Sequence, residues 1–281
     1  MKKLKVLYKE NPGTALITGS AGGLGLSFAE RLANEGFDLI LVDKNKEKLI
    51  KVSQELQKEF KITTTPIVAD LSKSDEVAAV EQQISNNRNL TMLINNAGFG
   101  ILDGYLATTD IDRQIEMIKV HNIAVTRLTV AALPGMIECD RGDIINVASI
   151  LAYIPLEGNA LYCATKAFLV KFTETLHLEV YDTNLRVQVL LPGFIRTGFH
   201  DSMGDDMSTG EWDKYPWMDP EEVVNESIKA LLKGMVIYIP GKKTRRFVRK
   251  VKIIPRKLMY KMSIKQSKKS QKAKEALEKN A

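Results

Sequence analysis

The sequence predicts an α/β fold in which a doubly wound parallel sheet carries helices on both faces. Short apolar runs alternate with helical stretches along the chain, and this alternation is typical of parallel sheets. A glycine-rich turn follows the first apolar run, where such a fold makes its first connection from strand to helix. With 281 residues, the chain is long enough for one large domain with its own core.

The predicted elements follow one another as strand, helix, strand. Short apolar runs predict strands over 14–18, 37–42, 64–69, 91–94, 143–147 and 186–191, with a last strand within 231–240. The helical spacing of apolar residues predicts helices over 26–33, 49–56, 75–84, 111–139 and 162–181. Pro134 is expected to kink or break the long fourth helix.

Charge is distributed unevenly along the chain. The net charge is +6, with 44% hydrophobic and 26% charged residues, as in ordinary soluble proteins. From residue 242 to the end, 16 Lys and Arg stand against two acids, so this part carries +14 and the remainder −8. We therefore predict a domain over 1–241 and a basic extension over 242–281, and not a uniformly basic domain that binds nucleic acid.

Several features favour a cytoplasmic protein. Cys139 and Cys163 are too few for a disulfide framework and suit a reducing compartment. The basic first ten residues are not followed by the apolar segment of a signal peptide, and no run approaches the ~18 apolar residues of a membrane span.

The basic extension leaves two interpretations open. Cations alternate with apolar side chains over 242–260, as in segments that lie on an anionic membrane surface. The same stretch could instead be a helix that packs on the domain, followed by a solvated end. Nucleic-acid binding is not expected, because no known reading module organises the charges.

The glycine-rich turn over 18–25 predicts a dinucleotide site. Without side chains, the backbone can approach a pyrophosphate at the N-terminus of the following helix, where amide donors and the helix dipole favour anions. The expected contacts in this turn are Gly19, Ser20, Gly23, Leu24 and Gly25.

Asp43 bears on the choice between NAD and NADP. It ends the second predicted strand, twenty residues after Gly23. A carboxylate there can accept hydrogen bonds from a ribose diol and repels a 2′-phosphate, so NAD is expected over NADP. Lys44 and Lys46 leave the alternative open, because they could attract that phosphate. Asp43 could also be only the N-cap of the next helix.

Tyr162 and Lys166 are four residues apart, on one face of a predicted helix. A cation beside a phenol favours the phenolate, which brings a pKa of ~10 into a usable range for acid–base chemistry. The spacing alone is weak evidence, because Tyr238 and Lys242 repeat it without a helical setting. Ser149, thirteen residues before Tyr162, distinguishes the first pair.

These motifs, in this order, resemble the classical short-chain dehydrogenase/reductase family over about 14–197. The resemblance implies a Rossmann-like single domain and an oxidoreductase that interconverts a carbonyl and a secondary alcohol with NAD(P). It also implies a homodimer or homotetramer, formed through the helices near 111–137 and 162–181. Besides the glycine turn and the Tyr–Lys pair, its motifs are Asp70 in Ala-Asp-Leu, Asn95-Asn96-Ala97-Gly98, Asn122, Ser149, Pro192-Gly193 and Thr197.

The resemblance assigns a role to each motif. Tyr162 would exchange a proton with the substrate oxygen, and Ser149 would hydrogen-bond that oxygen. Lys166 would lower the phenol pKa and bond the nicotinamide ribose, while Asn122 would hold a water that relays protons. The catalytic set is thus Asn122, Ser149, Tyr162 and Lys166. Further cofactor contacts would be Asp70, Leu71, Asn96, Ala97, Gly98, Pro192, Gly193, Ile195 and Thr197.

The substrate is less defined by the sequence. By resemblance, residues 194–220 form a lobe over the substrate, and large apolar side chains there favour an apolar ketone or a 3-oxoacyl-type substrate. Ordinary packing of a helical insertion explains these side chains equally well.

No metal site is expected, since no histidine has partners at ligand spacing. The alternative class is a non-catalytic, dinucleotide-binding redox sensor or scaffold. The large apolar side chains of the lobe over 194–220 are Phe194, Phe199, Met203, Trp212, Trp217 and Met218.

Overall fold

The structure, a computed structural model, describes residues 11–101, 105–197 and 216–265. Its parallel strands form one seven-stranded sheet in the order β3-β2-β1-β4-β5-β6-β7. The strands are β1 (Thr14–Thr18), β2 (Asp38–Asp43), β3 (Thr64–Val68), β4 (Leu90–Asn95), β5 (Asp143–Val147), β6 (Arg186–Leu190) and β7 (Ile237–Tyr238). The helices are α1 (Gly23–Ala33), α2 (Lys46–Phe60), α3 (Ser74–Asn86), α4 (Ile111–Ile118), α5 (Val125–Glu138), α6 (Ala160–Glu179), α7 (Pro220–Leu231) and α8 (Lys242–Ile253). A further helix covers 256–265.

Helices cover both faces of the sheet, which confirms the predicted doubly wound fold. On one face, α1 and α7 bury Phe28 and Ile228 against the strands. On the other, α3, α5 and α6 bury Val80, Leu128 and Leu176. All five side chains are at most 4% exposed. The strands of a parallel sheet are buried on both faces, and this explains why their sequences are almost continuously apolar.

The functional crevice of such a fold lies where neighbouring strands connect in opposite directions, here between β1 and β4. Thr18, at the end of β1, ties the two edges of this crevice together. Its Oγ1 accepts hydrogen bonds from the backbone nitrogens of Asn96 and Ala97, each at 3.0 Å. In return, Asn96 Nδ2 donates to the carbonyl oxygen of Thr18 at 2.9 Å.

The helix after β2 begins with a side-chain cap. Asn45 Oδ1 accepts a hydrogen bond from the Lys48 backbone nitrogen at 3.0 Å, so Asn45 is the N-cap of α2. The interpretation of Asp43 as that cap is therefore wrong, and its carboxylate remains beside the glycine turn. The helix ends at Phe60, and its C-cap Lys61 adopts the left-handed conformation with φ 57°.

The long helical stretch Ile111–Glu138 differs from its prediction. It is not broken at Pro134, which lies inside α5. A missing proline N–H frees only one carbonyl, that of Val130, and this residue is exposed to water. The irregularity lies earlier, in a π-helical turn, Lys119–Ala124. By length and composition the stretch could cross a membrane, but half of its most apolar window is buried in the fold.

The first part of the basic extension packs on the domain. In α8, Thr244 and Val248 are buried, and Val248 belongs to a core cluster. Arg245 Nη1 forms an ion pair with Glu226 at 2.9 Å. The interpretation as a packed helix thus describes α8, while the functional division at residue 241 stays a prediction.

Candidate active site

The glycine turn presents bare backbone at the N-terminus of α1. Gly19 has φ +66°, and a Cβ there would lie 2.9 Å from the Cα of Ala97. A Cβ on Gly25 would lie only 2.0 Å from the carbonyl oxygen of Gly19. By contrast, the Cβ position of Gly22 has no atom within 4 Å. The turn is therefore closed on its protein side and open on the side where a ligand could approach.

Two predicted members of this turn face the core. Ser20 is fully buried, and its hydroxyl donates to the carbonyl oxygen of Val42 at 3.3 Å. The Leu24 side chain packs in the core beside α1. Leu71, after β3, likewise packs in the core of the opposite face. A ligand in the crevice would meet the backbone of these residues and not their side chains.

The two predicted carboxylates hold different places at the crevice. Asp43 Oδ2 accepts a hydrogen bond from the backbone nitrogen of Ala21 in the glycine turn at 3.1 Å. Asp70 Oδ1 accepts from the Ser72 nitrogen at 3.0 Å and from its hydroxyl at 2.8 Å. Burial works to raise the pKa of Asp70, but the Ser72 bonds and nearby Lys44 outweigh it and lower that pKa. Asp43 is thus the carboxylate attached to the turn itself.

The segment after β4 connects the glycine turn to the Tyr–Lys pair. Asn96 and Ala97 are bonded to Thr18 at the end of β1, as described above. A Cβ on Gly98 would lie 2.7 Å from His121 Nε2 and 3.6 Å from Lys166 Nζ. A Cβ there would overlap the His121 ring, so Gly98 makes room for that ring, and Lys166 lies at ordinary contact distance from the same segment.

Tyr162, Lys166 and Ser149 form a buried cluster next to this segment. Tyr162 is 8% exposed and Lys166 is 5% exposed. The Ser149 hydroxyl acts on the Tyr162 phenol and works to lower its pKa. Lys166 Nζ lies 5.6 Å from the centroid of the Tyr162 ring and donates to the Val147 carbonyl oxygen at 3.1 Å. A phenol, a hydroxyl and an amine thus meet at the carboxyl end of β5.

Burial dominates the titration of this pair. It raises the pKa of Tyr162 to about 12, against the opposing effect of the Ser149 hydrogen bond. It lowers the pKa of Lys166 to about 7. The expected lowering of the phenol pKa by Lys166 is therefore not found in the structure, because the loss of hydration on burial is the largest influence on both groups.

The segment after β6 closes the crevice from the other side. The Pro192 carbonyl oxygen accepts from the Ile150 nitrogen at 3.0 Å, and Gly193 lies against Thr244 of α8. Thr197 lies over the turn, 3.4 Å from the Cβ position of Gly23. Ile195 and Thr197, both predicted to contact the cofactor, lie in a segment that is held by a backbone bridge from Ile195 to Met218. Phe199, Met203 and Trp212 lie outside the described residues.

A buried polar network positions α6 against the sheet; Asn95, a motif residue expected by resemblance to support the sheet, is part of it, whereas Asn146, Thr129 and Thr173 were not predicted. Asn95 Nδ2 donates to Asn146 Oδ1 at 2.8 Å and to Thr129 Oγ1 at 3.2 Å. Asn146 Nδ2 donates to Thr173 Oγ1 of α6 at 2.9 Å. Apart from the Asn95 motif, the sequence signal was the presence of polar residues inside apolar strands. Such networks fix orientation, since an unpaired buried polar group is costly.

The sequence predicted no role for His121, whereas Asn122 was a predicted catalytic residue. Both lie in the π-helical turn and both contact Thr165 of α6: His121 Nδ1 is 3.0 Å from Thr165 Oγ1, and Asn122 Nδ2 donates to the Thr165 carbonyl oxygen at 3.1 Å. The Asn122 side chain therefore braces α6, while His121 reaches the Gly98 segment. The sequence signal for His121 was its place directly before the motif residue Asn122, and its burial became visible only in the structure.

Taken together, the residues at the crevice fit a nicotinamide dinucleotide. The bare turn at a helix N-terminus suits a pyrophosphate, and the carboxylate of Asp43 suits a ribose diol. Comparison with known proteins decides the family. A sequence model described as short chain dehydrogenase matches residues 13–208, the greater part of the chain. The chain belongs to the short-chain dehydrogenase family. The resemblance found from the motifs is thereby confirmed, in a family of oxidoreductases.

Relatives within the family have related names. The very-long-chain 3-oxoacyl-CoA reductase of Bos taurus is 31% identical over 220 residues, which cover 77% of this chain and 68% of that protein. The human protein of the same name is 33% identical over 186 residues, 65% of this chain and 59% of the relative. Hydroxysteroid dehydrogenase-like protein 1 of Gallus gallus is 35% identical over 65% of this chain and 56% of its own length. The chain thus spans less than two thirds of the human and chicken relatives.

Solved structures of the family superpose well on this fold. A short-chain dehydrogenase from Sphingobium yanoikuyae in complex with NADPH has a TM-score of 0.77 at 31% identity, covering 82% of this chain and 88% of that one. A bulky-bulky ketone specific alcohol dehydrogenase from Comamonas testosteroni has a TM-score of 0.73 at 26% identity, covering 87% and 95%.

Proposed function

We propose that this protein is an NAD(P)-dependent oxidoreductase that interconverts a carbonyl and a secondary alcohol. The observation that carries the proposal is the burial of Tyr162 and Lys166 side by side, with the Ser149 hydroxyl acting on the phenol, at a crevice lined by bare backbone. Residues 1–241 would form the catalytic domain, and 242–281 the basic extension.

Each side chain would have a distinct task. Bound nicotinamide dinucleotide would supply or accept the hydride. Tyr162 Oη would donate a proton to the substrate oxygen during reduction and remove one during oxidation. Ser149 would hydrogen-bond that oxygen as negative charge develops on it. Lys166, as an ammonium, would stabilise the phenolate that remains, and Asn122 is proposed to hold a water that returns protons to Lys166.

The cofactor is proposed to be NAD in preference to NADP. Asp43 places a carboxylate on the glycine turn, where it would oppose the added phosphate of NADP. The ammonium of Lys44, which could attract that phosphate, lies over the Phe99 ring, 6.0 Å from its centroid, and works to lower the pKa of Asp70. The NADPH bound by the Sphingobium relative is the observation that opposes this preference.

The substrate is proposed to be an apolar ketone or a 3-oxoacyl group. Phe194 and Trp217 pack with their ring centroids 5.2 Å apart where the predicted lobe over 194–220 begins and ends. Large apolar side chains beside a site favour an apolar substrate. The names of the bovine and human relatives, which specify a very-long-chain 3-oxoacyl-CoA, support the same class.

The proposed assembly is a homodimer or homotetramer that uses α5 and α6. Val130 on α5 is 59% exposed and Leu178 on α6 is 71% exposed. The stacked rings of Phe168 and Phe172 line a groove between these helices. Apolar surface of this kind is unusual on a monomer and is typical of subunit interfaces.

The proposed location is the cytoplasm, in contact with an anionic membrane surface. The stretch 242–265 contains eleven Lys and Arg and no acid. Among them, Phe247, Ile253 and Leu258 are at least 46% exposed. Cations that attract anionic headgroups, together with apolar side chains that enter the interface, favour such contact. A very long acyl chain is also poorly soluble in water, so its enzyme would meet it at a membrane.

The function is tested by following nicotinamide absorbance with NADH and with NADPH across 3-oxoacyl, steroid and small ketones. We expect turnover with at least one apolar substrate. Tyr162→Phe should lower kcat by at least about 10²-fold, because it removes the proton donor and keeps the buried ring. Its nucleotide affinity, measured by fluorescence titration, should stay unchanged.

Tyr181→Phe is the matched control, since Tyr181 is 73% exposed just beyond α6 and should tolerate the same change. Near-normal turnover in Tyr162→Phe would contradict the mechanism. Nucleotide binding without turnover of any ketone would instead favour the redox sensor or scaffold.

A further inference from the structure

His121 lies at the junction of three segments. It is 1% exposed and belongs to the π-helical turn Lys119–Ala124 between α4 and α5. Its ring meets Tyr162 of α6 edge to face, with centroids 5.8 Å apart, and Phe99 after β4 at 5.9 Å. The Cβ position of Gly98 lies 2.7 Å from its Nε2. The imidazole therefore fills the space that Gly98 leaves beside the site.

Both ring nitrogens of His121 have hydrogen-bond partners that fix their roles. Nε2 accepts from the Phe99 backbone nitrogen at 3.1 Å. Nδ1 lies 3.0 Å from Thr165 Oγ1, whose own proton goes to the Tyr162 carbonyl oxygen at 2.8 Å. Nδ1 must therefore donate to Thr165. These partners assign the neutral tautomer with its proton on Nδ1.

The surroundings of His121 also favour the neutral ring. Burial, and next to it the charge of Lys166, lower the pKa of His121 well below its usual value. A second proton on Nε2 would remove the acceptor for the Phe99 nitrogen. The imidazole thus works as a fixed neutral connector.

The connector spans both sides of the space around Lys166. On one side it holds Phe99, next to Gly98, whose Cβ position is 3.6 Å from Lys166 Nζ. On the other side it holds Thr165, which directly precedes Lys166 in α6. The neighbouring Asn122 side chain donates to Thr165 on the α6 side. His121 is therefore placed to set the position of Lys166 relative to the crevice.

We propose that His121 is a positioning residue, which ties the Gly98–Phe99 segment to the turn of α6 that carries Tyr162 and Lys166. The inference rests on the proposed function, because it deepens the role of that site. A displacement of about 1 Å at reacting groups can cost about 10²-fold in rate. Loss of the connector should therefore act on the chemical step.

The test compares His121→Leu, which removes both bonds, with His121→Gln, whose amide can accept from Phe99 and donate to Thr165. His177→Leu, eleven residues after Lys166 on α6, is the matched control. We expect His121→Leu to lower kcat about 10- to 100-fold with KM changed less than about threefold, as for a misplaced reacting group. His121→Gln should recover most of kcat, and His177→Leu should match the unsubstituted protein.

A second measurement needs no turnover. The ¹⁵N spectrum of the unsubstituted, cofactor-free protein should show His121 with its proton on Nδ1, identified by the signal that His121→Gln removes. A proton on Nε2 would overturn the proposal, as would unchanged kcat in His121→Leu or a failure of His121→Gln to recover kcat while its melting temperature is normal. Absence of turnover in the unsubstituted protein would contradict the proposed function. The ¹⁵N measurement of the tautomer would then be the test of the proposal for His121.

Discussion

Among the individual side chains, Tyr162 and Lys166 share a site that disfavours charge on either. Their burial moves the two pKa values toward the neutral forms, to about 12 for the phenol and about 7 for the amine. A buried amine with so low a pKa is unusual on a structural helix and typical of a functional site. The proposed mechanism needs the ammonium form, so the titration of Lys166 should be visible in the rate.

We predict that kcat/KM for the cofactor in the reductive direction falls as pH rises through about 7. Below this pH Lys166 is an ammonium, and above it the amine is neutral and no longer stabilises the phenolate. A pH profile from 5.5 to 9 measures the effect, because kcat/KM reports groups of the free enzyme.

In Lys166→Arg the step near pH 7 should vanish even if the rate is lower, because a guanidinium stays charged over this range. Lys171→Arg, on the exposed face of the same helix, should keep the step. A wild-type profile that is flat between pH 6 and 8 would contradict the assignment.

Among the secondary structure elements, the ends of β1, β2 and β4 create the crevice. The turn after β1 needs its glycines, since a Cβ on Gly25 would overlap the Gly19 carbonyl oxygen. β2 contributes Asp43, which accepts a hydrogen bond from Ala21 in that turn. β4 contributes Asn96 and Ala97, bonded to Thr18. Cofactor selection should therefore depend most on the last residue of β2.

We predict that Asp43→Ser shifts the preference from NADH toward NADPH by about tenfold or more, because one removed charge–charge repulsion is worth about 1.4 kcal/mol or more at such a site. The ratio of kcat/KM for the two cofactors is the measurement. Asp38→Ser, at the other end of β2, is the control and should leave the ratio unchanged. An unchanged ratio in Asp43→Ser would show that Asp43 does not select the cofactor.

Over the whole fold, charge and apolar exposure concentrate in the basic extension. The body carries −8 and the extension +14, so an anionic surface would attract one side of the protein. Deletion from residue 242 onward is a poor test of this idea, because α8 buries Val248 in the core. Substitutions at exposed positions keep the packing intact.

We predict that the protein sediments with vesicles of phosphatidylserine and phosphatidylcholine, and less with phosphatidylcholine alone. Each cation near an anionic surface contributes about 1 kcal/mol, so the combined change of Arg249→Glu, Lys250→Glu and Ile253→Ser should abolish sedimentation. Ile253 is 82% exposed, so this change leaves the core untouched.

The matched control for this experiment changes exposed residues on distant elements: Lys51→Glu and Lys58→Glu on α2, with Val68→Ser on β3. It should sediment like the unsubstituted protein. Equal sedimentation of both variants would end the membrane proposal.

The sequence alone determined the order of strands and helices, the glycine turn and the Tyr–Lys pair. These features are local: apolar periodicity, absent side chains and a four-residue helical spacing are all properties of neighbouring residues. Family membership follows from the same motifs, because their order is preserved along one chain. The long helix shows where local rules fail, since Pro134 is tolerated and the irregularity falls at Lys119–Ala124.

Only the tertiary structure decided what surrounds each group. Burial from all sides moved the pKa values of Tyr162 and Lys166, and no spacing along the chain contains that information. The role of His121 likewise depends on bonds to residues 22 and 44 positions away, which the fold alone brings together. Local periodicity therefore specifies the elements and the reaction class, whereas desolvation and long-range hydrogen bonds set the electrostatics of the site.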